Sequence, residues 1–224
     1  RAALAPHARI VMLDELAEAV RTATRYSTGQ DVFDLAGFSA AFASTLQTIA
    51  TEGAQTLLIS CEGLSGRTPG KKGIVDYCAA LPLAQAMTGG VKAVFGAKAK
   101  LTLIYTTRTA PGWFYSAWRH NLFGYRVTED FDSFCQRCAG AADFDSITSE
   151  IAQKLRWAEV ISVPLEQVQD AALGPAEAVL ALLNLPDSLL TSLRNPGQRN
   201  VGRDQAVTEA LLALNRSELS DAEI

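Results

Sequence analysis

Three side chains stand where an α/β protein does its chemistry. Glu62 follows the apolar run Thr56–Ser60, Arg108 closes the run Leu101–Thr107, and Ser116 comes eight positions after Arg108, with Pro111 and Gly112 between them. In open α/β sheets ligands gather beyond the carboxyl ends of the strands, where loops and helix N-termini converge. If the two runs are parallel neighbouring strands, Glu62 and Arg108 project from one sheet edge and set a proton-accepting carboxylate beside an anion-binding guanidinium. Arg offers a planar fork that matches phosphate oxygens, and Ser adds a neutral donor from the helix that Pro111 and Gly112 introduce. On spacing alone, the plainer reading of Arg108 and Ser116 is an ion pair with a surface carboxylate and a hydroxyl facing water. Glu62 is equally suited to capping its loop or pairing with Arg67.

Other residues carry weaker signals. Arg67, Lys71 and Lys72 sit in a Gly-rich segment and have the charge to close over an anion, although such runs are more often solvated loops. Trp113, Phe114, Tyr115 and Trp118 crowd one helix, where core packing is the commoner role and acceptor stacking the rarer one. Cys135 and Cys138 form a lone CxxC with no second pair, and His7 and His120 lie far from it in sequence. Ordinary reduced thiols are the expectation, with zinc binding or redox chemistry by the CxxC the minor alternative, and no metal is expected as a cofactor.

The elements that must hold these residues alternate between helical and extended periods, the order of a parallel sheet covered on both faces. Helices are expected over Asp14–Tyr26, then over the segment where Phe38, Ala41, Phe42, Leu46 and Ile49 recur, with Asp34 as N-cap and Gly53 as stop. Thr56–Ser60 is the next strand, Glu62–Gly73 a mobile loop, and Ile74–Phe95 a long helix with break points at Pro82 or Gly89. Leu101–Thr107 is the clearest strand, Trp113–Leu122 and Phe131–Ala139 are helices, and Glu159–Val163 is a third strand. Helices over Pro175–Leu183 and Asp204–Leu214 follow, separated by a Pro/Gly/Arg/Asn loop from Leu193 to Arg203. There is no internal repeat and no linker, so residues 1–224 read as one domain.

Composition narrows the classes. With 224 residues, 48% of them hydrophobic, the chain can bury a sizeable core. A net charge of -4 and a pI near 5.3 argue against a dedicated nucleic-acid binder, so any anion site must be local. The longest apolar stretches fall short of a bilayer span and no charged-then-apolar signal opens the chain, which points to the cytoplasm and away from the membrane.

The stretch LTLIYTTRTAPGWFYSAWRHN, Leu101 to Asn121, resembles the strand-turn-helix of sulfotransferases. In that family an Arg ends the strand and a Ser follows at this separation to grip the 3'-phosphate of 3'-phosphoadenosine 5'-phosphosulfate. TLLISCEGL is similar to the strand of bacterial members that ends in Ser-Ser-Glu or close to it. VISVPLEQV with PAEAVLALLNLP resembles the family's last strand and following helix, and RNPGQRNVG with Asn215 and Arg216 looks like bacterial members' C-terminal ends. The resemblance implies a three-layer parallel sheet with helices on both faces, of the P-loop NTPase-like sulfotransferase type. It also implies sulfuryl transfer from that donor to a hydroxyl or amine on a small molecule or glycan. Glu62 would be the general base, Arg108 and Ser116 the 3'-phosphate ligands, and Arg199, with Arg194, would add C-terminal loop contacts. The chain departs from the family at its start, where the N-terminal strand and Lys/Thr-rich P-loop have no counterpart. Without them, a non-catalytic nucleotide-binding or partner-binding domain of the same fold is the alternative.

Overall fold

The computed structural model describes residues 2–71, 73–195, 197 and 204–220. The chain divides into two compact units. The first comprises Arg1–Arg67, Tyr77–Thr107 and Asp145–Asn195, and the second Thr68–Asp76, Arg108–Phe144 and Pro196–Ile224.

The first unit is mixed α/β and holds the four described strands: β1 (Arg9–Val11), β2 (Leu57–Ile59), β3 (Thr102–Thr107) and β4 (Glu159–Pro164). β1 pairs with β2 and β3 with β4, both parallel, in two separate two-stranded ribbons. The strands that lead to Glu62 and Arg108, β2 and β3, are therefore not hydrogen-bonded neighbours among the described residues. This corrects the shared edge that parallel pairing of these two strands would have given. β1 has no counterpart in the sequence expectation. Three residues are too short for a period-2 pattern to show, and what fixes the strand is tertiary pairing of Arg9 with Leu57 and Val11 with Ile59.

Between β1 and β2 run α1 (Ala17–Gly29) and α2 (Val32–Ala50). α1 buries Ala19, Thr22, Ala23, Tyr26 and Ser27, a stripe at i, i+3, i+4, i+7 and i+8. It stops at Gln30, which takes a left-handed φ of 53° and returns its N–H to the Tyr26 carbonyl. Asp31, rather than Asp34, caps α2 by accepting from the Phe33 N–H at 2.8 Å. Asp34 lies inside the first turn and pairs with Arg25.

α3 spans Ala80–Phe95, shorter than the sequence suggests, and neither Pro82 nor Gly89 breaks it. Pro82 is its third residue, where a helix has no N–H partner to lose. α2 and α3 approach closely because Gly90 has no side chain. A Cβ there would stand 3.2 Å from the Phe42 ring. Phe38, Phe42, Leu46, Leu83 and Ala84 form the centre of this core, with Val11 from β1 and Ile151 from a later helix.

Arg9 locks the start of β1 by pairing with both Glu15 and Glu52, and its guanidinium draws the Glu52 carboxyl below the usual range.

The second unit is built on α4 (Ala110–Gly124), which packs Trp113, Ala117, Trp118, Asn121 and Leu122 inward. α5 (Phe131–Arg137) adds Phe134, capped by Asp130, whose carboxylate accepts from the Ser133 N–H at 2.9 Å. The first unit resumes at Asp145, within α6 (Phe144–Lys154), which the sequence reading missed, then β4 and the short helices α7 (Leu165–Val168), α8 (Ala176–Ala181) and α9 (Asp187–Ser192). α10 (Gln205–Arg216) belongs to the second unit and is capped by Asp204, which the sequence reading had placed inside the helix. No helix among the described residues is long and apolar enough to cross a membrane.

Candidate functional site

Arg108 immediately follows Thr107, the buried last residue of β3, and stands two positions before α4 begins. Its Nε is buried and has no hydrogen-bond partner. This is unusual within the chain. Arg9, Arg21, Arg25 and Arg137 each meet a carboxylate, and Arg126, Arg194 and Arg216 donate to backbone carbonyls. A buried donor on a charged group with no acceptor costs on the order of 1–3 kcal/mol or more, so the position is built for an acceptor that the described protein atoms do not supply. Among the described residues no carboxylate meets the Arg108 Nε.

Ser116 is the exposed seventh residue of α4, because the helix starts three residues earlier than expected, at Ala110. Its own N–H is thus beyond the orphan donors of the first turn, and only the hydroxyl is available to an anion. Pro111 sits in the first turn, where its fixed φ suits the helix.

Glu62 leaves β2 by two residues and begins a short 3-10 turn, Glu62–Ser65, with its carboxylate exposed. The turn is pressed against α1, where a Cβ on Gly63 would lie 2.6 Å from the Val20 side chain. The first part of the expected mobile loop is therefore a packed element. Further on, the Arg67 N–H donates to the Ser27 hydroxyl at 3.1 Å.

In the second unit, Lys71 lies over the Tyr125 ring at 4.8 Å. The same stretch is pinned by Asn121, whose Nδ2 donates to the Pro69 carbonyl at 3.4 Å, and by Arg137, which donates to the Gly70 carbonyl at 3.1 Å. Arg199 and Lys72 lie outside the described residues. Arg194 spends its Nη1 on the Thr191 and Leu193 carbonyls, at 2.8 and 2.9 Å, closing the end of α9.

Trp113 and Trp118 are core residues. Trp113 packs edge-on to Phe144, and the Trp118 indole donates to the Glu129 carbonyl at 3.2 Å. Tyr115 instead keeps 41% of its surface exposed. Burial pushes the Cys135 and Cys138 thiols up, which disfavours the thiolate that redox chemistry or metal binding needs.

Asn215 and Arg216, noted in the sequence for their resemblance, act as pins. The Asn215 amide donates to the Leu122 and Val127 carbonyls at 3.2 and 3.0 Å, and Arg216 Nε donates to the Thr128 carbonyl at 2.8 Å. They tie α10 to the segment that follows α4.

Two features escaped the sequence. Thr107 and Ser162 share a hydroxyl contact of 3.3 Å near the carboxyl end of the β3–β4 ribbon, which needs the register to be seen. A cleft of about 480 Å³ opens at the amino end of the β1–β2 ribbon, lined by Pro6, Arg9, Glu52 and Thr56. Its one guanidinium, Arg9, is neutralised by two carboxylates, so the cleft offers no free cation to an anion.

No protein-family model, curated protein or solved structure matches this chain.

Proposed function

We propose that this chain is the body of a sulfotransferase of the P-loop type, moving a sulfuryl group from 3'-phosphoadenosine 5'-phosphosulfate to a hydroxyl or amine acceptor. The observation that carries the reading is the buried, unpartnered Nε of Arg108 immediately after a parallel strand. It fits an oxyanion ligand, and a 3'-phosphate is the group that the resemblance of Leu101 to Asn121 assigns to it. Arg108 and Ser116 match the 3'-phosphate end of the donor, and the resemblance assigns neither of them to the 5'-phosphosulfate.

The finer fold belongs to the same proposal. Parallel strands are ordinarily buried on both faces, yet β2 is half-buried at all three positions and most of β3 is half-buried. Both ribbons pack against one hydrophobic cluster, through Leu57 and Ile59 on one side and Leu103, Tyr105 and Val160 on the other. On this reading the two ribbons are parts of one three-layer parallel sheet with helices on both faces, of the P-loop NTPase-like sulfotransferase type.

The roles follow from the side chains. Arg108 presents its fork to the 3'-phosphate, and Ser116 donates one neutral hydrogen bond. Glu62 takes the acceptor proton as the acceptor oxygen or nitrogen bonds to sulfur and the bond from sulfur to the 5'-phosphate oxygen breaks, which releases adenosine 3',5'-bisphosphate. The donor supplies the sulfuryl group.

Titration with adenosine 3',5'-bisphosphate and with adenosine 5'-monophosphate tests the reading. Tighter binding of the bisphosphate supports it, and equal binding of the two contradicts it. Bisphosphate binding without sulfuryl transfer in the full-length protein would leave the nucleotide-binding module.

A further inference from the structure

We infer that Arg119 is a second guanidinium for the same anion, an oxyanion ligand that the Arg/Ser spacing does not include. The inference rests on the reading of Arg108 and Ser116 as phosphate ligands.

Its starting point is a contrast among the arginines. Among the described residues only three buried side-chain N or O atoms lack a partner: Arg108 Nε, Arg119 Nη2 and Asn121 Oδ1. Two of the three are guanidinium nitrogens, one at the joint between β3 and α4 and the other within α4. Among the described residues neither forms an ion pair, whereas five other arginines each have a carboxylate in place. A chain with 24 acidic residues does not lack carboxylates to set beside them.

The helix places Arg119 suitably. It lies three residues after Ser116 and four after Tyr115, so the three side chains share one face of α4. Long helical side chains lean toward the N-terminus, and Arg119 does so, with its guanidinium carbon 5.1 Å from the Tyr115 ring centroid. The Tyr115 ring is itself set edge-on to Phe131 at 6.0 Å, a fixed support. The guanidinium is thereby carried back about one turn, to the level of Ser116 and toward the end of α4 that Arg108 precedes. Stacking on an aromatic face occupies a guanidinium's plane and leaves its N–H edge free for an oxyanion. The ligand class is a phosphate monoester dianion, which has the oxygens to accept from two guanidinium groups and a hydroxyl together.

The test is calorimetric titration of the full chain with adenosine 3',5'-bisphosphate and, separately, with inorganic phosphate. Wild type is compared with Arg108→Lys, Arg119→Gln, Arg119→Lys and Arg21→Gln. The last removes the same charge from an exposed arginine already paired with Glu18 and controls for net charge. Arg119→Gln is expected to weaken both ligands by about tenfold or more, Arg119→Lys to weaken them by less, and Arg21→Gln to leave them within about twofold. Arg119→Lys keeps the aliphatic stem and serves if Arg119→Gln does not fold. Wild-type affinity in both Arg119 variants, or an equal loss in Arg21→Gln, overturns the inference. If Arg108→Lys weakens the bisphosphate while the Arg119 variants do not, Arg119 is excluded and the sulfotransferase reading stands. If wild type binds phosphate through Arg119 but ignores the nucleotide, the anion site stands and the nucleotide reading falls. If wild type binds neither, both fall.

Discussion

Asn121 and Pro69 are 52 residues apart and joined by a single buried hydrogen bond, the Asn121 amide donating to the Pro69 carbonyl at 3.4 Å. The same amide donates to the Ala117 carbonyl one turn back at 2.8 Å, and Asn121 is fully buried. The loop that contains Lys71 is thus seated on the inner face of α4. Gly70 makes the seat possible, because a Cβ there would stand 2.5 Å from Asn121 Nδ2 and 2.6 Å from the Phe134 ring, at a φ of +106°.

Gly70→Ala is therefore expected to lower stability by about 2 kcal/mol or more, through the clash and the strained backbone together. Gly89→Ala, on the exposed side of α3 with nothing within 4 Å of the new Cβ, should raise stability by roughly 0.5–1 kcal/mol. Urea unfolding followed by circular dichroism measures both. Equal midpoints for the two variants would contradict this account of the loop.

Burial pushes the Tyr105 phenol up to about 12 from its ordinary value of 10. Below pH 10 the folded and unfolded chains both hold this proton, and its contribution to stability is complete. Between pH 10 and about 12 the unfolded chain releases it while the folded chain does not, so stability falls as pH rises through that window. Urea midpoints at pH 9 and pH 11 should drop more in wild type than in Tyr105→Phe. Parallel drops would place the phenol in water.

Glu62→Gln should cut turnover of the full-length protein by roughly two to four orders of magnitude, the usual yield of a positioned base, with donor binding nearly unchanged. The exposed carboxylate makes the substitution structurally mild, so thermal melting should match wild type. Wild-type turnover in this variant would remove Glu62 from the chemistry.

The sequence shows the long periodic elements well because their signal is local. α2 is legible from Phe38, Phe42, Leu46 and Ile49, and β3 from an unbroken extended run beside Pro111. What escapes it depends on distant partners. β1 is three residues long and exists through its pairing with β2, and the N-terminal part of the expected helix from Ile74 is not α-helical, with α3 beginning only at Ala80. The site divides in the same way. Arg108 stands out through its place after a strand, whereas Arg119 looks like any arginine on a helix until its Nη2 is seen to be buried without a partner. The pairing of β1 with β2 and of β3 with β4, which keeps the strands of Glu62 and Arg108 apart, is a matter of which strands meet, and no local pattern encodes that.

The central claim is that Arg108 binds a 3'-phosphate through its fork and not through charge alone. Calorimetric titration of wild type, Arg108→Lys and Ser116→Ala with adenosine 3',5'-bisphosphate tests it most directly. Arg108→Lys should weaken binding by roughly tenfold or more despite the retained charge, and Ser116→Ala should cost on the order of 1 kcal/mol. A nucleotide without the 3'-phosphate should bind all three about equally weakly. Wild-type affinity for the bisphosphate in Arg108→Lys would contradict the claim.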